Sequence, residues 1–267
     1  MKIGIIGLGN IGTALYKGMK KANFEQKLIN VCDKSLDEDA KKLFRNNQLI
    51  EKPREIIKKV DILFLCIRTE QVYEFLRKNN SLFTDKHIIV FMSAGIKLSI
   101  ILKILKPTHR QNVIRVVSNI NLASCNAYTF VYKSKKADLS VFEQVMSIFN
   151  NLGVAESVHS EDKLDMYSLL SGCVPALLGL FLESIIDSGI EVGIKNRNAS
   201  KIVKYITSSS IKTMEQEKIN SHELLRRAST PGGLVAKALD EISKTQFKNV
   251  INSWLPKIFY SIKNEKE

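Results

Sequence analysis

The sequence predicts an α/β fold, with an N-terminal Rossmann-like, doubly wound and mainly parallel sheet followed by an all-helical C-terminal domain. Three observations carry this. Apolar strand-like runs alternate with helical patterns from the start of the chain. A Gly-x-Gly-x-x-Gly motif joins the first strand to the first helix. From about residue 161 strand-like runs give way to long helical periodicities.

The strand-like runs are KIGII (2–6), LINVC (28–32), DILFLCI (61–67), HIIVFMS (87–93), NVIRVV (112–117) and NAYTFVY (126–132). Helical patterns such as 11–22 and 70–77 separate most of them. Strands that are apolar almost throughout, with helices between, belong to a sheet buried on both faces. The later helical patterns cover roughly 161–187, 198–217, 233–242 and 245–263. A short connection near Ser157–Ser160 divides an expected dinucleotide-binding domain, 1–158, from an expected helical domain, 159–267, and no internal repeat or low-complexity linker interrupts either.

With 267 residues, 45% hydrophobic and 25% charged, the chain reads as globular. Its formal charge of +13 comes from lysines scattered among Asp and Glu, without a block of like charge. That pattern is a solvated surface that draws phosphate-bearing small molecules, with no nucleic acid expected as partner. Cys32, Cys66, Cys125 and Cys173 are far apart and form no CxxC, so free thiols, no metal and a cytoplasmic setting are expected. No leader pattern is evident at the start. The longest apolar run, Leu169–Leu182, contains Gly172, Pro175 and Gly179. It reads as a buried helix of the second domain and a subunit contact, too short for a bilayer, so no membrane is expected.

The opening KIGIIGLGNIG places Gly7, Leu8, Gly9, Asn10, Ile11 and Gly12 directly after a strand and at the start of an amphipathic helix. Gly7 permits the tight turn, Gly9 lets backbone approach a pyrophosphate, and Gly12 allows close packing of the helix. Asp33 ends the second strand about twenty residues later, where an acid binds the ribose 2′-hydroxyl of NAD. Lys34 and Ser35 beside it suit the 2′-phosphate of NADP, so the expected cofactor is NAD(P)H with the choice open. Arg68 and Thr69 after the third strand, and Ser93–Ile96 with Ala94 after the fourth, fall at the carboxyl edge of the sheet, where such folds bind ligands.

Late in the chain, RRASTPGGLVAKAL (226–239) puts Pro and two Gly in helical surroundings. The tetrapeptide makes sense as a helix start, with Thr230 as N-cap and Pro231 at the first helical position. Gly232 and Gly233 then present bare amides at the positive end of the helix, an anion cradle. His87, His109, His159 and His222 fall near element ends and are expected at the surface or as caps.

This order of motifs resembles the pyrroline-5-carboxylate reductase family, over nearly the whole chain. SAGI is similar to that family's AAGI, VIRVVSNINLASCNA to its vvRvMPNTP block, and STPGG to its tSPGGTT. EDKLDMYSLLSGCVPALLGLFLESIIDSGIEVGI is similar to its SGSGPA helix. The resemblance implies reduction of a five-membered cyclic imine to proline with NAD(P)H, and a helical domain that pairs with a second subunit. The site it implies lies between the domains. It further implies that Gly7, Leu8, Gly9, Asn10, Ile11 and Gly12 meet the pyrophosphate, and that Asp33 and Lys34 flank the adenosine ribose. Arg68, Ala94 and Asn119 lie along the cofactor in that reading. Thr230, Gly233, Leu234 and Val235 place the substrate carboxylate. No acid or base is implied, because a protonated imine is already electrophilic and needs orientation above all.

Several positions depart from the family pattern. MPNTP is VSNIN here (Val117–Asn121), SGSGPA is SGCVPA, and Leu234 and Val235 stand where the family has hydroxyls. A different imine, or a dinucleotide-binding chain without catalysis, are the alternatives these changes open. A β-hydroxyacid-type dehydrogenase is disfavoured, because Gly172 and Gly179 are followed four residues on by Ala176 and Glu183 where such enzymes carry Lys.

Overall fold

The computed structural model describes residues 1–34, 41–44, 49–50, 52–93 and 95–264. Backbone contacts divide the chain into two units, Met1–Pro175 and Ala176–Glu267.

The first unit is built on seven strands: β1 (Ile3–Ile6), β2 (Ile29–Cys32), β3 (Ile62–Leu65), β4 (Ile88–Phe91), β5 (Val113–Val117), β6 (Ala127–Lys133) and β7 (Gly153–Ser157). Their order across the sheet is β2-β1-β3-β4-β5-β6-β7. Strands β2 to β5 run parallel, β5 pairs antiparallel with β6, and β6 pairs parallel with β7. The sheet is thus mainly parallel, as expected, with β7 an added edge strand that hydrophobic patterning does not reveal: its residues are half-buried or exposed.

Helices α1 (Asn10–Lys21) and α5 (Leu139–Asn150) pack with one face of the sheet. Phe149 of α5 meets Phe64 of β3 edge-on, with ring centroids 6.0 Å apart. Helices α2 (Pro53–Ile57), α3 (Thr69–Asn79) and α4 (Leu98–Ile104) bury Ile56, Ile57, Val72, Leu76 and Ile101 against the other face. Covering both faces explains why β1, β3, β4 and β5 are buried along their whole length. The chain order turns back at β1, with β2 on one side and β3 on the other. A crevice at the carboxyl ends of β1 and β3 follows from that reversal.

Helix α6 (Glu161–Glu191) begins in the first unit and ends in the second. Its first turns are fastened by charge. Arg115 of β5 is fully buried; its guanidinium bonds Glu161 at 3.1 Å and also Asp165. Glu161 accepts as well from the Leu98 amide at 2.8 Å, and Lys97 pairs with Asp162 at 2.9 Å.

The second unit continues with α7 (Asn196–Glu217), α8 (Ser221–Ala228), α9 (Leu234–Ser243) and α10 (Phe247–Asn264). Among its described residues only Ala199 is buried. Of the run Leu169–Leu182, expected as a buried helix and a subunit contact, Leu169 and Ser171 are buried, but Leu170, Val174, Leu178, Leu180 and Phe181 are exposed, so the helix is not buried within the single chain. The length argument against a bilayer is corrected too, because α6 extends the run to 31 residues and is long and apolar enough to cross a membrane by length and composition.

Candidate functional site

The carboxyl edge of β1 leads into a loop that only glycine fits. Gly7 has φ +91°, a left-handed conformation, and a Cβ there would lie 2.7 Å from the Cys66 carbonyl oxygen. A Cβ on Gly12 would sit 1.8 Å from the Gly7 carbonyl oxygen, so α1 packs on the loop only because that position lacks a side chain. Gly9 differs: a Cβ there meets nothing within 4 Å. Gly9 is the N-cap of α1 and offers no side-chain cap, which leaves the amides of that helix start open. An open, cap-free N-terminus at the head of a glycine loop is a phosphate cradle.

The loop lines a cavity of about 1000 Å³. Leu8, Gly9, Asp33, Lys34, Arg54, Cys66, Arg68, Gln71, Glu74 and Lys78 contribute to its wall. Asp33 accepts a hydrogen bond from the Leu8 amide at 2.5 Å, which ties the end of β2 to the glycine loop. Arg68 is the N-cap of α3, its amide bonded to the Gln71 side chain at 3.2 Å, and its own side chain is exposed. Burial pushes the Cys66 thiol up to about 12 and the Cys32 thiol up to about 11, so both remain neutral SH groups. The residues fit a dinucleotide: amides for a pyrophosphate, Asp33 and Lys34 at the ribose end, and cations along the wall.

The expected residues Gly7, Leu8, Gly9, Asp33, Lys34 and Arg68 therefore come together in one cavity, with Asn10, Ile11 and Gly12 in the first turn of α1. Ala94 and Ser35 lie outside the described residues. Asn119 is buried and does not line this cavity; its side chain accepts from the Asn121 amide at 3.0 Å and donates to Ser171 of α6 at 3.2 Å. Arg54, Gln71 and Lys78 also line the cavity, and no sequence motif singles them out.

The late glycine segment is built otherwise than expected. Thr230 is not the N-cap, and Pro231 is not in the helix. The Gly233 amide donates to the Thr230 carbonyl at 2.9 Å, and Gly232 has φ +75°. Pro-Gly at the centre of a turn explains this, since Pro presets the first central residue and Gly supplies positive φ at the second. Gly233 is the N-cap of α9, again without a side-chain cap. The Gly233 amide is thus consumed, and the amides of the first helical turn are those of Leu234, Val235 and Ala236. Just before it, Arg226 and Arg227 bond Glu223, holding its carboxyl down to about 2.

Two of the histidines depart from expectation. His87 is buried, with Nε2 2.9 Å from the Ile57 carbonyl and Nδ1 2.9 Å from the Thr84 amide. His109 is buried as well, and burial lowers its pKa. Neither lines the cavity. Among the described residues no cluster of His, Cys, Asp and Glu could hold a metal ion.

Comparison with known proteins places both halves. Residues 161–261 match the family model for pyrroline-5-carboxylate reductase dimerisation, and residues 2–94 match that for NADP oxidoreductase, coenzyme F420-dependent. Pyrroline-5-carboxylate reductase of Corynebacterium melassecola is 26% identical over 250 residues, covering 91% of this chain and 90% of its own. Among solved structures, Plasmodium falciparum pyrroline carboxylate reductase with NADP bound superposes with a TM-score of 0.88 at 20% identity, over 99% of this chain and 97% of that one. The enzyme from Streptococcus pyogenes gives 0.82 at 22% identity, over 99% and 98%.

Proposed function

The chain is a distant member of the pyrroline-5-carboxylate reductase family, an NAD(P)-dependent oxidoreductase, and from that premise we propose that it reduces a cyclic imine amino acid, with pyrroline-5-carboxylate as leading substrate and proline as product. The single observation that carries the reading is the glycine-built cradle at the start of α1, opening on a cavity with Asp33, Lys34 and Arg68. A reduced nicotinamide, when bound, supplies the hydride. The chain's own residues bind and orient. Gly7, Leu8, Gly9, Asn10, Ile11 and Gly12 hold the pyrophosphate, Asp33 and Lys34 the adenosine ribose, and Arg68 the rest of the cofactor, while Asn119, buried against Ser171, takes no part in this reading. The amides of Leu234, Val235 and Ala236, at the positive end of α9, grip the substrate carboxylate, with Thr230 and Gly233 shaping the turn. Fixing one end of a protonated imine is the main service required, so no side-chain acid takes part.

The helical part completes a homodimer in this proposal, its exposed apolar faces on α6 and later helices covered by a second copy. Leu234 is 84% exposed and Val235 44%, so the first turn of α9 offers a substrate apolar contact in place of hydroxyls. That favours, as a second reading, an imine larger than pyrroline-5-carboxylate.

Purified protein is expected to bind NAD(P)H, seen as a change in its fluorescence, and to oxidise it with pyrroline-5-carboxylate or another imine in a panel. Binding without turnover across the panel defeats the catalytic reading. Gly233→Asp tests the cradle. An Asp N-cap bonds the same first-turn amides and competes with the substrate while favouring the helix. KM for the imine should rise about a hundredfold, the equivalent of a lost charge-assisted contact, with dinucleotide affinity retained. A parallel collapse of dinucleotide affinity overturns the placement of the substrate.

A further inference from the structure

The amino ends of the parallel strands form the edge of the sheet opposite the cavity. Four segments meet there. Residues 58–61 lead into β3, 84–87 into β4 and 105–112 into β5, while 133–138 leave the end of β6, which runs the other way. Bonds between neighbours hold them in one row. The Asp61 amide donates to the Lys2 carbonyl at 2.8 Å, His87 Nε2 lies 2.9 Å from the Ile57 carbonyl, and the Asn112 side chain donates to the Asp85 carbonyl. Ile114 stands opposite Lys133 in the β5–β6 pairing, so residues 133–138 leave the sheet beside the segment that enters β5.

This row carries Lys58, Lys59, Lys86, Lys106, Lys135 and Lys136, all exposed, and none is ion-paired with a described residue. The acids in the same segments are Asp61, Asp85 and Asp138. Asp61 accepts from the Lys2 amide at 2.7 Å, and Asp138 caps α5 by accepting from the Ser140 amide at 2.7 Å. In the sequence these lysines fall in four places and form no block, so the sequence suggests no nucleic-acid partner; the fold assembles the block. Strand spacing of about 4.8 Å makes the row from β3 to β6 about 14 Å long. That length matches about four phosphates on one strand of a duplex. None of the four segments exposes a large apolar side chain or an aromatic ring, so nothing there enters a bilayer or stacks on an unpaired base. Lysines are point charges, suited to phosphates and indifferent to base sequence.

We propose that the amino edge of the sheet binds the phosphate backbone of double-stranded nucleic acid without reading its sequence. None of the six lysines lines the cavity, and the two sites lie at opposite ends of the parallel strands. The chain can therefore hold a duplex and a dinucleotide at once, and the edge site does not depend on the reductase reading of the cavity.

The full chain is titrated into a short fluorescent DNA duplex of arbitrary sequence, followed by anisotropy. Between about 50 and 200 mM salt the affinity should fall about a hundredfold, the salt dependence of about four phosphate contacts. Lys58→Glu with Lys59→Glu, and Lys135→Glu with Lys136→Glu, should each weaken binding at least about tenfold and reduce the salt slope by about 2. Lys212→Glu with Lys248→Glu, which changes the net charge equally from the helical unit, should do neither. Thermal melts check that each variant folds, and Lys58→Gln with Lys59→Gln, which removes charge without reversing it, should weaken binding to a smaller degree. Saturating NADPH should leave duplex affinity unchanged. Competition by NADPH, or an equal loss in the helical-unit pair, overturns the edge site. Capture of phosphatidylglycerol vesicles with no duplex binding overturns it in favour of a lipid surface. Absence of duplex binding at about 50 mM salt ends the proposal and leaves the dinucleotide cavity untouched.

Discussion

Gly9 and Gly12 belong to one motif yet tolerate opposite changes. Gly9 has ordinary φ, −65°, and open space where a Cβ would go. Gly9→Ala should therefore leave thermal stability unchanged and weaken dinucleotide binding about tenfold or more, because the methyl stands where the pyrophosphate approaches. Gly12→Ala drives a methyl into the Gly7 carbonyl, 1.8 Å away, and should cost about 1–3 kcal/mol of stability as well as binding. Thermal melts and cofactor titrations of the two variants separate these outcomes. The glycine loop was legible in the sequence because its requirement is steric and local. The helix start at residues 230–233 was legible only in kind. Thr and Pro satisfied the rules for a cap and a first helical residue, but Pro231-Gly232 also satisfies the rules for a turn, and the turn won.

At the level of elements, Arg115 shows what a strand pattern conceals. In VIRVV it reads as one polar residue in an apolar strand; folded, it is fully buried and holds the first turns of α6 through Glu161 and Asp165. Arg115→Ala removes the buried cation that Glu161 and Asp165 share, with Lys97 remaining 4.0 Å from Asp165, and should cost about 3 kcal/mol in unfolding experiments. Arg115→Met, which fills the volume, should also be destabilising, because Glu161 and Asp165 remain; Arg115→Met with Glu161→Gln and Asp165→Asn should recover part of the loss. Strand β7 escaped detection for a related reason, since an edge strand with half-wet residues carries no apolar alternation. The sheet also sets a pH dependence. Cys66 and Cys32 ionise near 9 when unfolded but only near 12 and 11 when folded. Above pH 9 the unfolded chain sheds protons that the folded chain keeps, so stability falls as pH rises from about 9 toward 11–12. Cys66→Ala should flatten that decline relative to the unaltered protein in melts across the alkaline range; an unchanged slope counts against the buried thiol as its source.

For the whole molecule, the two units differ in what they bury. The first has apolar clusters on both faces of its sheet, and their alternation with helices was readable from the start. In the second, among described residues, only Ala199 is hidden, and the periodicities that marked its helices could not tell which faces would find cover within the chain. With a match to a dimerisation domain over 161–261, the melting temperature should rise with protein concentration, and sedimentation in detergent-free buffer should give a species heavier than 30.2 kDa. A monomer at all concentrations, or material recovered only with detergent, argues against pairing through these helices. The near-absence of a core in residues 176–267 also bears on birth. If the helical unit pairs with a second copy, as proposed, its apolar faces stay wet in a newly made chain until that pairing, and the unpaired chain is expected to be prone to aggregation. Output of working protein should then climb more steeply than gene dosage at low expression, and a sibling crippled only in its front half would still be taken up, carrying its defect into mixed pairs.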